Sequence, residues 1–215
     1  MVADTDRYDT SGLIEAQFQP GSNDTVLRNR LGITTVAEMN RREEDALVHA
    51  TARAAAKYSA SHTFSAADVC ALHRDWLGEI FDWAGEYRHV NLGKGGFHFA
   101  AASRIPELMA DFEKRVLRVH TPCTARSPAV IAAALAELHV ELILIHPFRD
   151  GNGRVARMVS TLMALQSGTR LLNFDSMTRA ENAKYIAAIH SGVGRNYAPM
   201  TEVFSEIIQR ANSGA

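Results

Sequence analysis

The stretch SPAVIAAALAELHVELILIHPFRDGNGRVARMVSTLMALQSG, residues 127–168, decides the fold of this chain. Its first part, from Ser127-Pro128 to Ile145, is rich in alanine and leucine and predicts a buried helix. A second helix is predicted to follow a Gly-Asn-Gly turn and to run to Gln166, where Gly168 is placed to end it. Two buried helices joined by a short turn form a helical hairpin, and we expect the rest of the chain to pack around it.

The turn of this hairpin brings together the groups that a polyphosphate ligand requires. The backbone N–H groups of Gly151-Asn152-Gly153 converge at the start of a helix, whose dipole adds partial positive charge. Arg154 and Arg157 lie three residues apart and therefore share one helical face beside the turn. Asp150 supplies a carboxylate that can hold Mg²⁺, and His146 supplies a base. The pattern predicts a phosphate pocket with an imidazole at its edge.

Residues 146–157, HPFRDGNGRVAR, resemble the core motif of the Fic family, H-P-F-x-x-G-N-G-R-x-x-R, and match every specified position. Residues 80–88, IFDWAGEYR, and 94–97, KGGF, look like the family's segment that leads into a β-hairpin flap. Residues 27–33, LRNRLGI, are also similar to the family. The resemblance extends over nearly the whole chain, from residue 24 to residue 211.

The resemblance implies an all-α fold, a Fic-type helical bundle around the central helical hairpin, with one small β-hairpin flap. Strand-forming residues on both sides of a glycine-rich tip, within residues 85–100, independently favour the hairpin. Residues 1–23 are polar and rich in turn-forming residues, which indicates a loose N-terminal arm. Residues 24–215 are then expected to form a single Fic-type domain.

Helix starts inside this domain are predicted from capping patterns. Capping boxes begin at Thr35, Ser65 and Thr178, each with an acidic residue three positions later. Ser103 is expected to cap a further helix that runs to about His120, and Asp24 to cap a short helix that ends near Gly32. Pro199 suits the first turn of a last helix.

The family resemblance also implies the activity, which is transfer of AMP from ATP to a Ser, Thr or Tyr hydroxyl of a target protein. His146 would accept the proton of that hydroxyl, and Asp150 would bind Mg²⁺ bridging the α- and β-phosphates. The residues expected to bind the phosphates are Gly151, Asn152, Gly153, Arg154 and Arg157, with Arg154 at the β-phosphate and Arg157 at the γ-phosphate. Asn182 and Tyr185 are the candidates for the adenine pocket. The flap would pair with an extended target segment through Lys94, Gly95, Gly96 and Phe97.

Regulation is predicted from a missing pattern. Members of the family restrain themselves with an inhibitory helix, [S/T]-x-x-x-E-[G/N], whose glutamate pairs with the second arginine of the motif, here Arg157. Only Glu181-Asn182 offers the E-[G/N] pair, and Met177 stands four residues earlier where Ser or Thr is required. We therefore expect a separate small antitoxin to supply the glutamate, which would make this chain the toxin of a pair. An unrestrained enzyme or a translocated effector is the alternative.

Other interpretations of the same residues stay open. The site could transfer a different phosphate-containing group, as a kinase does, or the domain could serve only to bind partners. Residues 151–156 also satisfy the dinucleotide fingerprint G-x-G-x-x-A, which would indicate an NAD-binding oxidoreductase if residues 140–145 formed a strand. His139-Val140-Glu141 matches only half of a zinc deaminase signature. Five further histidines are expected on the surface: His49, His62, His73, His120 and His190.

Composition limits the partners and the compartment. The net charge of −1 gives no general electrostatic reason to bind nucleic acid or an anionic membrane. No stretch is expected to reach the ~18 apolar residues that a membrane span requires, and the first twenty residues show no signal peptide. Cys70 and Cys123 are expected to be free thiols of a reducing compartment. We therefore expect a cytoplasmic protein, although export by a specialised secretion machine would leave no trace here.

Overall fold

The structure, a computed structural model, describes residues 12–174 and 177–213. Most of the regular structure is helical, and the all-α prediction is confirmed. The elements in chain order are the helices α1 (Val36–Lys57) and α2 (Ala66–Leu77), the strands β1 (Gly93–Lys94) and β2 (Phe97–His98), and the helices α3 (Ile105–Phe112), α4 (Arg118–His120), α5 (Pro128–Ile145), α6 (Asn152–Gln166), α7 (Arg179–Ser191) and α8 (Ala198–Ser213). A π-helical segment, Glu113–Leu117, joins α3 to α4.

Helix α5 lies at the centre of the bundle. It packs against α6, α8, α3 and α7, so apolar residues are buried on all of its faces. Helix α6 returns antiparallel beside it after a six-residue turn, as the predicted hairpin requires. The turn is held rigidly at both ends because the two helices on which it rests are buried.

Helix α5 is strongly apolar along its whole length. Pro128–Ile145 is long and apolar enough to cross a membrane by length and composition alone, so the expectation that no such stretch exists is wrong. Its place in the bundle explains its composition, because more than half of the stretch is buried inside the protein. The neighbouring helices already cover it, and burial accounts for the apolar sequence without a membrane.

The predicted capping residues begin three helices. The Thr35 and Ser65 side chains accept hydrogen bonds from the backbone N–H groups of Glu38 and Asp68, and Ser65 with Asp68 forms a complete capping box. Thr178 does the same with Glu181 at the start of α7. The prediction for Ser103 is wrong, because this residue lies inside a 3₁₀ turn, Ala102–Arg104, and α3 starts after it.

The flap is a β-hairpin whose two strands are two residues long each, with Gly93 paired with His98 and Lys94 with Phe97. The tip residues Gly95 and Gly96 have φ values of +58° and +82°. Two consecutive positive φ values are what a tight I′ turn requires, and glycine adopts them without steric cost.

The segment before α1 differs from the prediction. Residues 12–23 are not a loose arm: Ile14–Ala16 form a 3₁₀ turn, Phe18 bridges to Leu27, and the Glu15 carboxylate is buried and accepts the His89 N–H at 2.7 Å. The short helix predicted from Asp24 is also wrong, because Asp24 has a φ of +57° and lies in a turn. The rest of the predicted arm, residues 1–11, lies outside the described residues.

Candidate active site

His146 ends α5 in a left-handed conformation, with φ +53° and ψ +59°. Its backbone N–H still donates to the carbonyl of Leu142, so the chain leaves the helix only at this residue. The imidazole lies parallel to the ring of Phe99 from the flap, with ring centroids 3.6 Å apart. The left-handed backbone therefore turns the catalytic candidate toward the flap.

Hydrogen bonding fixes the tautomer of His146. Its Nδ1 lies 3.0 Å from the carbonyl oxygen of Ile143, which can only accept, so Nδ1 carries the proton. Nε2 then carries a lone pair, and no described residue hydrogen-bonds to it. Burial, with the Arg88 guanidinium nearby, lowers the pKa of His146 to about 4. The ring is therefore neutral at pH 7 and able to take up a proton.

Arg88 fastens His146 to the base of the flap, and the sequence analysis did not identify it as a site residue. Its buried guanidinium donates to the carbonyl oxygen of His146 at 2.7 Å and to those of Val90 and Ala100 at 2.6 Å each. Its own backbone N–H donates to the carbonyl of Pro147. One side chain thus satisfies carbonyls at the end of α5 and on both sides of the flap.

The loop after His146 is held by a buried ring and a buried amide. Phe148 is fully buried and stacks on His73, with centroids 3.9 Å apart. The prediction that His73 lies on the surface is wrong: its Nδ1 accepts the Gly85 N–H, and its Nε2 donates to the Asp150 carbonyl. Burial lowers the pKa of His73 to about 4, which keeps the ring neutral in this role.

Asn152 has a structural role as well as its predicted place in the phosphate loop. Its side-chain oxygen accepts the N–H of Phe148 and its amide donates to the carbonyl of Phe148, both at 2.8 Å. The side-chain oxygen and one amide N–H of Asn152 therefore close the loop. The residue also offers a ligand its backbone N–H at the first position of α6.

The start of α6 is an open anion site. The first helical hydrogen bond runs from Val155 N–H to Gly151 carbonyl, so the N–H groups of residues 152–154 precede the helical ladder. Among the described residues no side chain caps this end, because the N-cap is Gly151. Unpaired N–H groups and the helix dipole both favour a negatively charged ligand.

The two glycines of the motif have different roles. Gly151 has a φ of +78°, and a Cβ there would lie 2.7 Å from Cζ3 of Trp76. Gly153 has no described atom within 4 Å of an added Cβ, and it lines the cavity. The protein itself excludes a side chain at Gly151, whereas at Gly153 only a ligand would meet one.

Asp150 lies at the open side of the loop, with its side chain 52% exposed. Its Oδ1 accepts the Gly151 N–H at 2.6 Å and lies 3.8 Å from a guanidinium nitrogen of Arg154. Within residues 12–174 and 177–213 no group of three or more His, Cys, Asp or Glu could hold a metal ion. A lone exposed carboxylate suits Mg²⁺, which takes most of its other ligands from phosphate and water.

Arg154 is held from two sides by residues that the sequence analysis missed. One guanidinium nitrogen lies 2.5 Å from the carboxylate of Glu43 on α1, and the guanidinium packs over Trp76 at 4.6 Å from the ring centroid. The Trp76 N–H donates to the carbonyl of Glu43 and ties the two supports together. The pKa of the Glu43 carboxyl is raised by burial, and the charge of Arg154 offsets only part of this shift. Arg154 thus enters the site with little freedom to move.

Arg157 lies between the rings of Phe174 and Tyr185, 5.3 Å and 5.4 Å from their centroids. The Tyr185 hydroxyl lies 2.7 Å from Nε2 of His139. Tyr185 also lines the cavity, and its place in an adenine pocket stays a prediction. The Asn182 side chain lines the cavity too, although its amide donates to carbonyls at the start of α7.

These residues surround one cavity of about 760 Å³. The flap, the turn and α7 form its walls, and every predicted site residue except Gly96 lines it. The lining residues relevant to the prediction are Lys94, Gly95, Phe97, His146, Asp150, Gly151, Asn152, Gly153, Arg154, Arg157, Asn182 and Tyr185. The structure thus brings together groups from three separate parts of the sequence.

Comparison with known proteins agrees with the motif. The Fic/DOC family model matches residues 63–164. A Salmonella typhimurium protein named probable protein adenylyltransferase Fic is 31% identical over 156 residues, which cover 71% of this chain and 73% of that protein. The chain belongs to the Fic/DOC family. An Escherichia coli protein of the same name is 27% identical over 190 residues, covering 86% of this chain and 89% of that one.

Solved Fic domains share the fold. The N-terminal Fic domain of a putative cell filamentation protein from Bartonella quintana, with bound ADP, superimposes with a TM-score of 0.64 at 26% identity, covering 86% of this chain and 91% of that chain. BepC from Bartonella tribocorum, with bound AMPPNP, gives a TM-score of 0.68 at 22% identity, covering 85% and 92%.

The dinucleotide-binding interpretation is wrong for this Fic domain. Residues 140–145 belong to helix α5 and not to a strand. The flap is the one sheet in the described part of the chain, and it is antiparallel. The parallel sheet whose carboxyl edge would hold a dinucleotide is therefore missing from these residues.

Proposed function

We propose that this Fic protein is a protein adenylyltransferase that moves AMP from ATP to a Ser, Thr or Tyr hydroxyl of a target protein. The observation that carries the proposal is one juxtaposition. A neutral His146 presents a hydrogen-free Nε2 to the same cavity into which the N-terminus of α6 directs its unpaired N–H groups. A base beside a polyphosphate site is the arrangement that phosphoryl or nucleotidyl transfer needs.

The reaction follows from these groups. The target hydroxyl oxygen attacks the α-phosphorus, its proton passes to Nε2 of His146, and the bond to pyrophosphate breaks. The N–H groups at the start of α6 stabilise the phosphate charge, with Arg154 at the β-phosphate and Arg157 at the γ-phosphate. Asp150 would hold Mg²⁺, which supplies charge neutralisation to the α- and β-phosphates. The exposed oxygen of Asp150 fits this task because its other oxygen is fixed by the Gly151 N–H.

The flap is the proposed docking site for the target. β1 and β2 are the whole of its sheet, so each strand keeps a free edge that can pair with an extended segment of another chain. Phe99, directly after β2, stacks on His146. A target strand paired with the flap would therefore lie beside the base, and main-chain pairing would require little of the target's sequence.

Labelled ATP separates this proposal from its alternatives. Incubation with a target lysate and ATP labelled at the α-phosphate should label protein, whereas γ-labelled ATP should not. A γ-label on protein would indicate a kinase, and no protein labelling from either nucleotide would reject group transfer. His146→Ala should remove the label while ATP still binds. His49→Ala is the matched control, because His49 makes the same Nδ1 contact to a carbonyl of its own helix and lies exposed on α1.

We further propose that the chain is the toxin of a pair whose small antitoxin supplies an inhibitory glutamate to Arg157. Two observations support this. Glu181 is engaged by Arg210 at 2.5 Å and by the cap of α7, so it is not free to inhibit. Among residues 12–174 and 177–213 no carboxylate pairs with Arg157. The guanidinium is therefore open to a carboxylate from another chain. We propose that both proteins act in the cytoplasm, where ATP is present.

Copurification tests the partner. The chain purified alone should label its target, and the chain purified with the small protein encoded beside it should not. Replacing that partner's glutamate by glycine should restore the label. Full labelling in the presence of each neighbouring small protein would instead favour an unrestrained enzyme or a translocated effector.

A further inference from the structure

A buried chain of hydrogen bonds runs from the backbone of α6 toward Arg157. Ser160 Oγ donates to the Ala156 carbonyl at 2.8 Å and lies 3.1 Å from Nδ1 of His139. Nε2 of His139 lies 2.7 Å from the hydroxyl of Tyr185. His139 and Ser160 are 0% exposed and Tyr185 is 6% exposed, so water does not compete for these bonds. The proposed reaction uses none of these three side chains directly.

The proton positions along this chain follow from its first bond. A carbonyl only accepts, so the single hydroxyl proton of Ser160 goes to Ala156, and its oxygen must accept from Nδ1–H of His139. A neutral His139 then has a lone pair on Nε2, which accepts the Tyr185 hydroxyl. Burial and the nearby charge of Arg157 lower the pKa of His139 to about 3, so the ring stays neutral.

Tyr185 connects His139 to Arg157, because its ring lies against the Arg157 guanidinium. Because its hydroxyl is bound to His139, the Tyr185 side chain is anchored on the side of the core. The Arg157 guanidinium packs over its ring, with Cζ 5.4 Å from the ring centroid. Nε of Arg157 is buried without a partner in the described part of the chain, so the guanidinium is restrained by its packing on the rings of Tyr185 and Phe174. A protonated His139 could not accept from Tyr185, and this anchor of the Tyr185 ring would be lost.

We propose that His139 acts through Tyr185 as a positioning residue that fixes Arg157 for the γ-phosphate, and that this pair sets the preference for nucleoside triphosphate over diphosphate. The inference rests on the proposed function, since Arg157 meets a γ-phosphate only if ATP binds in this cavity. A purely structural histidine would need no ordered polar path to the cavity, because an aromatic hydrocarbon ring would fill the same space.

Calorimetric titration with Mg²⁺-ATP and Mg²⁺-ADP tests the pair. The wild type should prefer ATP, and Arg157→Gln should abolish the preference. Tyr185→Phe keeps the ring beside Arg157 and removes only the hydroxyl; His139→Phe removes the whole path. Each should lower the ATP-over-ADP ratio by roughly three- to tenfold, the worth of one hydrogen bond, with ADP affinity unchanged. Tyr197→Phe is the matched control, because it deletes a hydroxyl bound to Glu141 outside the cavity and should leave the ratio unchanged.

The outcomes separate the two proposals. If the wild type binds neither nucleotide, the proposed function fails. If it binds ATP better than ADP and Tyr185→Phe keeps the wild-type ratio, the positioning role is overturned while the function stands. Should His139→Phe not fold, Tyr185→Phe still decides, since it changes no packing volume beyond one oxygen. A loss of thermal stability with an unchanged ratio would also overturn the positioning role.

Discussion

A methyl group added at Gly151 should lower the stability of the protein, whereas one added at Gly153 should lower its affinity for ATP. In Gly151→Ala the new Cβ would lie 2.7 Å and 3.0 Å from two ring carbons of Trp76, closer than real contacts allow. The backbone there has a φ of +78°, which costs an L-residue ~1–2 kcal/mol. Overpacking adds ~1–3 kcal/mol. We expect Gly151→Ala to lower the free energy of unfolding by about 2–5 kcal/mol.

Gly153→Ala is the matched variant. Gly153 lies in the first turn of α6 with an ordinary negative φ, and an added Cβ has no described atom within 4 Å. Alanine should therefore raise the stability by up to ~0.5–1 kcal/mol, because glycine is a poor helix former. The methyl group projects into the cavity where phosphate would approach the N–H groups. We expect ATP affinity to fall at least ~10-fold, the cost of about 1.4 kcal/mol of lost contact.

Urea unfolding followed by circular dichroism, together with calorimetric ATP titration, measures both effects. The predicted result is a large stability loss in Gly151→Ala and normal stability with weak ATP binding in Gly153→Ala. Wild-type stability in Gly151→Ala would refute the steric argument at Trp76. Wild-type ATP affinity in Gly153→Ala would show that phosphate does not approach this end of α6.

Three further predictions concern the supports of the site. Asn152→Ala should cost ~2–4 kcal/mol in urea unfolding, because it leaves two buried backbone groups unpaired; a cost below 1 kcal/mol would contradict this. Arg88→Lys should cost ~2 kcal/mol or more, since an ammonium cannot reach three separate carbonyls, and an unchanged unfolding midpoint would contradict it. His73, His139 and His146 have pKa values lowered to about 4, 3 and 4, below the unfolded value of ~6.5, so the unfolded chain binds more protons as pH falls. Stability should therefore drop by up to about 5–6 kcal/mol between pH 7 and pH 5, and a flat profile would contradict the buried neutral rings.

The sequence allowed the local features to be predicted. The helix caps at Thr35, Ser65 and Thr178 depend on residues within one turn, and the helical hairpin follows from apolar composition and a glycine turn. The phosphate loop was found because its motif is contiguous. The flap was found because Gly95 and Gly96 mark the tip of a tight hairpin.

The remaining features depend on contacts between distant parts of the chain. Glu43 lies 111 positions before Arg154, and nothing in the helical pattern of α1 marks it as a partner. The Arg149 side chain donates to the carbonyl of Glu15, 134 positions away, which explains why a segment with a loop-like composition is fixed. In the sequence His139 matches only half of a zinc deaminase signature, and its proposed role depends on Tyr185, which is 46 positions away and lies beside it in the fold.

The most direct test of the central claim is a crystal structure of this Fic domain with a non-hydrolysable ATP analogue and Mg²⁺. The phosphates should contact the N–H groups of residues 152–154, with Mg²⁺ on Asp150 and Nε2 of His146 facing the α-phosphorus. A nucleotide bound elsewhere, or an imidazole turned away from the α-phosphorus, would contradict the account.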